Sequence, residues 1–302
     1  MKKRGIVLMM TLVLITLMMG IVTLVLTQSD RLSRLGNNTF FQSASLRALN
    51  DLEQQLPSLL SPITGAEELD LAMRLPLQLD NKKEDFGLKA QLSSPYNRFN
   101  INTLMSPDGK VNDTNLALFM RVFTLHPIAD SDMLLKLIFD TIDTDTAARG
   151  IDTEIRESQS DFKNSLIVNE SHFNLILSRY IEITKDTAVL SIPWNLYIGY
   201  EGEKMDFNAI NAETLSLILP NTSSEKIRLL TLFRTKAYVT KEEAITAEPA
   251  LGAVFDNYFF IYKAGVSYNL VCDVHLFENS HEEHMKFQYN LLDKKVQRVE
   301  FL

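Results

Sequence analysis

The first 26 residues constrain this chain more than any other stretch. Lys2, Lys3, Arg4 and Gly5 precede an apolar run from Ile6 to Leu26 that holds no charged residue. A helix of that length is about 31 Å long, enough to cross the hydrocarbon core of a bilayer. Basic residues in front of the run, with no Ala-x-Ala cleavage pattern behind it, predict a cytoplasmic N-terminus and an exported remainder. The predicted localisation is the inner membrane, single-pass, with the head in the periplasm.

A plain signal anchor accounts for the apolar run alone, but not for the segment after Leu26. An anchor commonly gives way to a polar linker, whereas here the first proline is Pro57. Leu32, Leu35, Phe40, Leu46, Leu49, Leu52, Leu56 and Leu59 recur at spacings near three, four and seven, between Arg31, Arg34, Arg47, Asp51 and Glu53. That is the stripe of an amphipathic helix. The two segments together predict one stiff rod of roughly 50 residues, half in the membrane and half packed on a head.

Composition excludes several function classes. The net charge is -8 and the pI about 5.2, which leaves no basic surface for phosphate and argues against nucleic acid. With 46% hydrophobic residues the chain can build a sizeable core. The single Cys272 cannot form an internal disulfide and, in an alternating run, reads as a buried small apolar residue. No nucleophile elbow, phosphate loop or dinucleotide fingerprint occurs, so the chain is expected not to be an enzyme.

Periodicity divides the head. Gly87 to Leu92 alternates like a strand, and Arg98 to Leu104 comes after a Ser-Pro turn signal as a second one. Asn115 to Leu125 and Asp132 to Ile142 read as helices, with Asp130 and Ser131 available as caps. A polar loop takes Asp143 to Lys163. Helices resume at Asn169 to Thr184, Ala212 to Leu219 and Ser224 to Phe233. Strand pattern returns at Phe259 to Lys263, Ser267 to Glu278, Met285 to Leu291 and Lys295 to Leu302. The fold class is therefore α+β, with early and late strands sharing one antiparallel sheet and a large helical insertion between them.

The basic leader ending in Gly5 resembles a prepilin peptidase site, with Ile6 as the mature, methylated N-terminus. Pilins usually carry Glu at the fifth mature position, and Met10 stands there. A buried carboxylate among apolar helices is costly unless paired, so a subunit without it suits the end of a filament. Further landmarks are Phe99-Asn100-Ile101-Asn102-Thr103-Leu104, Leu137 to Asp145, and Met205-Asp206-Phe207-Asn208-Ala209-Ile210-Asn211 running on to Leu215. In this order, with Met10, they resemble the general secretion pathway protein K family, the large minor pseudopilin of type II secretion. The resemblance implies a pilin-like division: leader 1–5, membrane half of the helix 6–26, amphipathic half 27–60, first part of the head 61–104, helical insertion 105–235 and C-terminal strands 236–302.

The asparagines have a physical reading of their own. Asn-x-Asn side chains bond nearby amides and cap helices, and Asn211 stands where such a cap belongs. Leu219-Pro220-Asn221-Thr222-Ser223 between two helices resembles a DNA-binding helix-hairpin-helix. Asn221 and Ser223 replace the glycines that let backbone amides approach phosphate, and packing is the expected role.

One loop carries candidate site chemistry. Asp140, Asp143, Asp145, Asp152 and Glu154 present hard oxygen donors within one segment, with Gly150 placed for a tight reversal. Gly150 comes too late for an EF-hand, and a solvated acidic loop capping adjacent helices accounts for the same residues. The family resemblance implies calcium here, at Asp143, Asp145 and Glu154, with Asp140 as a further candidate. His275, His281 and His284 gather with Glu282 and Glu283 at an expected hairpin tip. Their His-Glu-Glu-His spacing is not the helical His-Glu-x-x-His of a metalloprotease.

The resemblance then implies a minor pseudopilin at the pseudopilus tip that initiates assembly and supports protein transport across the outer membrane. Its implied partners are the other minor pseudopilins, the major pseudopilin, the inner-membrane assembly platform, prepilin peptidase and membrane lipid. A minor pilin of a type IV pilus or DNA-uptake system, or a signal-anchored periplasmic binding protein, is the alternative.

Overall fold

Alternating apolar residues in the late strands build the sheet of the first unit. The computed structural model describes residues 57–302 except 59, 82–85, 107, 144, 146, 279, 280 and 302. Gly5, Ile6, Met10, the apolar run and the amphipathic stripe as far as Leu56 lie outside the described residues. Among the described residues no helix is long and apolar enough to cross a membrane. The described residues form two compact units, one of those up to Ser94 together with those from Tyr262 onward, the other Pro95–Ile261. The second unit thus begins before residue 105 and reaches well past 235, taking in both 95–104 and 236–261.

The first unit holds helix α1 (Ala66–Arg74) and five strands: β1 (Leu77–Asn81), β2 (Phe86–Ser93), β3 (Asn269–Glu278), β4 (His281–Asn290) and β5 (Lys295–Phe301). Their order in the sheet is also β1 to β5, every neighbour antiparallel. The early and late strands therefore meet, with Ala90 opposite Val274 and Leu92 opposite Cys272. Period-two alternation puts Ala90, Leu92, Leu270, Cys272, Val274, Met285, Phe287 and Tyr289 in the core. Each large side chain among them contributes about 1.5–3 kcal/mol. Burial, then the neighbouring Asp273 charge, pushes the Cys272 thiol up to about 12, so it stays neutral and unreactive. Asn290 closes the β4–β5 turn, its Oδ1 accepting from Leu292 and Asp293 N–H at 3.0 and 2.9 Å.

The second unit is helical. Its main helices are α2 (Asp113–Leu125), α3 (Ser131–Ile142), α4 (Glu170–Thr184), α5 (Ala212–Ile218), α6 (Ser224–Leu230) and α7 (Lys241–Ala247). Asn112, Asp130, Asn169, Asn211, Ser223 and Thr240 cap them in turn, each side chain accepting a backbone N–H in the first turn. Such a cap contributes about 1 kcal/mol. Helix α7 carries the signal Thr240-x-x-Glu243, with Glu243 Oε2 returning to Val239 N–H at 2.8 Å. Phe119, Phe123, Phe173 and Trp194 form one aromatic core; Phe207, Phe255, Phe259 and Tyr238 form another.

Three expected spans are shorter than their periodicity suggests. Arg98 to Leu104 is strand only at Phe99–Asn100, followed by a 3-10 turn at Ile101–Leu104. The strand at residues 259–263 is confined to Phe259–Phe260, paired in parallel with Met205–Asp206. Helix α6 stops at Leu230. In the first case asparagine explains the break. Asn100 Oδ1 accepts the Asn102 N–H at 3.0 Å and turns the chain out of the strand. Asn102 then clamps a distant peptide, donating to the Ile167 carbonyl at 2.9 Å and accepting the Ile167 N–H at 2.7 Å. Asn208, just beyond Met205–Asp206, repeats the device on Tyr238, both bonds at 2.8 Å. These asparagines therefore fasten segments 65 and 30 residues away, beyond the local capping that spacing predicts.

Candidate functional site

The acidic segment starts on the last turn of α3 and runs through an irregular loop to a single helical turn at Ile155–Ser158. Asp140, on the inward face of α3, is 1% exposed. A carboxylate so buried needs a cation, and Arg149 supplies it. Arg149 Nε stands 3.3 Å from Asp140 Oδ1, Arg149 Nη2 stands 2.9 Å from Asp143 Oδ2, and the Arg149 backbone N–H donates to Asp140 Oδ2 at 3.0 Å. Burial raises the Asp143 carboxyl above its ordinary value, against the lowering pull of Arg149.

Glu154 is 2% exposed and closes the other end of the loop. Its Oε1 accepts from the Arg156 N–H at 3.3 Å and from Asn164 Nδ2 at 2.8 Å. Asn164 Nδ2 also donates to the Asp145 carbonyl at 3.2 Å, so one amide joins both ends of the loop. Asp145 itself is exposed, and its Oδ1 accepts the Ala147 N–H at 2.8 Å. Asp152 points elsewhere, 3.7 Å from Arg179. The reversal needs a residue with positive φ, and Asp152 adopts it at 63°, not Gly150. Gly150 is needed for close approach instead: a Cβ there would lie 3.1 Å from Lys136 Cδ and 3.2 Å from Thr153 Cγ2.

Four buried oxygens in this network accept no hydrogen bond: Asp143 Oδ1, Glu154 Oε2, Asn164 Oδ1 and Asp140 Oδ1, the last still compensated by its ion pair with Arg149. Buried acceptors without donors are costly, and oxygen donors of this kind are what a hard cation takes. The acidic pattern does not single out Asn164. The amide opposite Glu154 is ten residues on in sequence, and only the loop's closure brings it there. Arg149 already places a positive group between Asp140 and Asp143. The acidic oxygens are not drawn together: among the described residues, the set whose ligand atoms all lie within 4.8 Å is Asp273, His275 and His284. His275 and His284 are opposite one another across β3 and β4, and Asp273 is the partner that the His-Glu-Glu-His spacing does not suggest.

Other parts of the second unit offer little chemistry. The 219–223 hairpin joins α5 to α6 with Thr222 N–H on the Leu219 carbonyl at 3.0 Å and Ser223 as the α6 cap, and both helices turn apolar residues inward. A small cleft is lined by Arg98, Glu170, Trp194 and Tyr200 among others. Burial, then Glu170, pushes the Tyr200 phenol up to about 12, so it is no base at neutral pH.

Protein families give no match to this chain, and curated protein sequences give none. Among solved structures, the fold is similar to that of a chain in the GspK-GspI-GspJ complex from the enterotoxigenic Escherichia coli type 2 secretion system. The TM-score is 0.58 at 11% sequence identity, over 88% of this chain and 99% of that chain. At so low an identity the match speaks for architecture: this chain shares its α+β fold with a component of that secretion complex.

Proposed function

We propose that this chain is a minor pseudopilin at the tip of a type II secretion pseudopilus, initiating filament assembly and supporting export of folded proteins across the outer membrane. The observation that carries the proposal is the extent of the structural likeness, which spans 99% of the neighbouring chain and so takes in sheet and helical unit together. The leader Lys2 to Gly5 and the apolar run from Ile6 to Leu26 supply the other half of the argument. Cleavage after Gly5 leaves Ile6 at the cytoplasmic face of the inner membrane. Met10 removes the carboxylate that would pair with a neighbour's terminal amine, so this subunit has less to offer a subunit added above it. Assembly is by lateral packing of residues 6–26 against other minor pseudopilins and the major pseudopilin. The chain turns over no substrate.

Calcium belongs to this proposal as a structural ion. Asp140, Asp143, Asp145 and Glu154 would hold it, with Asn164 as a further oxygen donor. The buried oxygens without donors fit a hard cation. The ion's chemistry is charge compensation, and the residues around it hold the loop closed. Arg149 competes for the same carboxylates and must give way as the oxygens gather.

Mass spectrometry of the protein from cells tests the central point. A methylated Ile6 start, with crosslinks through residues 6–26 to other minor pseudopilins and a secretion defect on deletion, is the expected outcome. An intact Met1 to Gly5 leader favours a signal-anchored periplasmic protein, and loss of pili or DNA uptake with normal secretion favours a type IV system. Either result overturns the proposal.

A further inference from the structure

We propose that Asp273, His275 and His284 form a binding site for one divalent transition-metal ion, best matched by zinc, on the β3–β4 hairpin. The proposal is independent of the acidic loop and of the secretion role. Asp273 and His275 are two apart on β3, so they share a face of the sheet, and His284 is the register partner of His275 on β4. Both imidazoles aim Nε2 at the same carboxylate oxygen: His284 Nε2 is 2.7 Å and His275 Nε2 is 3.2 Å from Asp273 Oδ1. The two rings lie 4.0 Å apart, within 13° of parallel. Three side chains from two strands thus converge on one point.

The donor set decides the metal. Two imidazole nitrogens and one carboxylate oxygen suit zinc, copper or nickel, whereas calcium and magnesium prefer oxygen alone. Zinc takes His nitrogen and carboxylate oxygen at about 2.0–2.2 Å, which sets tetrahedral donors roughly 3.3 Å apart. From Asp273 Oδ1 the His275 separation of 3.2 Å already matches, and the His284 separation of 2.7 Å needs to open by about 0.6 Å.

Access and surroundings fit a surface site. The side chains are 33%, 28% and 27% exposed for His275, Asp273 and His284, open enough for an ion to enter with water as a fourth ligand. Phe277 stacks on His275 with ring centroids 6.2 Å apart and shields one side. Lys286 Nζ lies 3.8 Å from Asp273 Oδ2, on the oxygen the metal does not need. Lys89, exposed, is the register partner of His275 on β2. These cations weaken the site relative to an isolated triad, so moderate affinity is the expectation.

The test uses the full-length chain in detergent, stripped with chelator and titrated with zinc chloride by calorimetry, then with cobalt chloride followed by visible absorption. One saturable equivalent of zinc and a cobalt spectrum typical of mixed nitrogen and oxygen ligands are expected. His275→Gln and His284→Gln, checked for folding by circular dichroism, should each weaken zinc at least tenfold, while His126→Gln should not. In the unsubstituted chain, zinc should protect His275 and His284 from diethylpyrocarbonate. Excess calcium should leave the bound zinc in place. Absence of saturable binding, unchanged affinity in both histidine variants, equal labelling with and without zinc, or displacement by calcium would each overturn the proposal.

Discussion

The acidic loop of the second unit and the histidine face of the sheet both gather negative charge, yet they handle it in opposite ways. In the loop, Asp140 and Glu154 are buried at 1% and 2% exposure, and a protein cation, Arg149, sits between Asp140 and Asp143. On the sheet, Asp273 is half-buried and its partners are two imidazoles, His275 on its own strand and His284 on the next. The loop has too many oxygens for its donors; the sheet has two nitrogens competing for one oxygen. Burial therefore makes the loop sensitive to any loss of positive charge, while the partial exposure of the sheet cluster lets it stay folded with no ion bound.

The largest expected effect comes from that contrast. Arg149→Ala should destabilise the calcium-free chain by about 2–4 kcal/mol, because it strands a buried carboxylate while Arg149 itself is partly solvated. Calcium should restore much of the loss in thermal unfolding. If calcium restores nothing, the loop has no metal role. The same substitution should leave zinc binding at Asp273 untouched, and a change there would break the independence of the two regions.

Asn164→Ala should cost about 1–3 kcal/mol by removing the amide that joins Glu154 to the Asp145 carbonyl, measured by denaturant unfolding without calcium. The pH dependence sharpens the picture further. Because the Asp143 carboxyl is raised by burial, its contribution to stability is present below the ordinary carboxylate value and is lost as pH rises through the raised one. Asp143→Asn should therefore flatten the fall in stability that the calcium-free chain shows as pH rises above the ordinary carboxylate value and, in the same thermal assay, abolish the response to calcium. A profile unchanged by the substitution would remove Asp143 from the loop's electrostatics. The smallest effect belongs to Asp145→Ala. Exposed, with its carboxylate accepting the Ala147 N–H, it should change calcium-free stability by less than about 0.5 kcal/mol, yet weaken calcium if its carboxylate is a ligand.

Much of the architecture is legible in short stretches of chain. Asp130, Asn169 and Asn211 announce helix starts because a cap acts within three residues, whereas the short helix Lys241–Ala247 behind Thr240 does not stand out in the periodicity. The alternation around Cys272 announces a half-buried strand for the same local reason. The candidate sites are legible only in part. Acidic residues cluster visibly between 140 and 154, but nothing local places Arg149 among them or brings Asn164 to Glu154. The spacing of His281 and His284 says nothing of Asp273, since cross-strand register and not distance along the chain sets His284 beside His275.

What the amino-acid sequence determined by itself is therefore the set of periods and stops: where strand gives way to helix, where the longer helices begin, which residues are apolar enough for a core and which run is long enough for a membrane. These rest on interactions that reach only a turn or two. The tertiary structure alone decided which polar side chains meet. Asn102 finds Ile167, Asn208 finds Tyr238, and Asp273 finds His284, because burial of the apolar faces fixes how distant segments align and hydrogen bonds then form between whatever that alignment brings within about 3 Å.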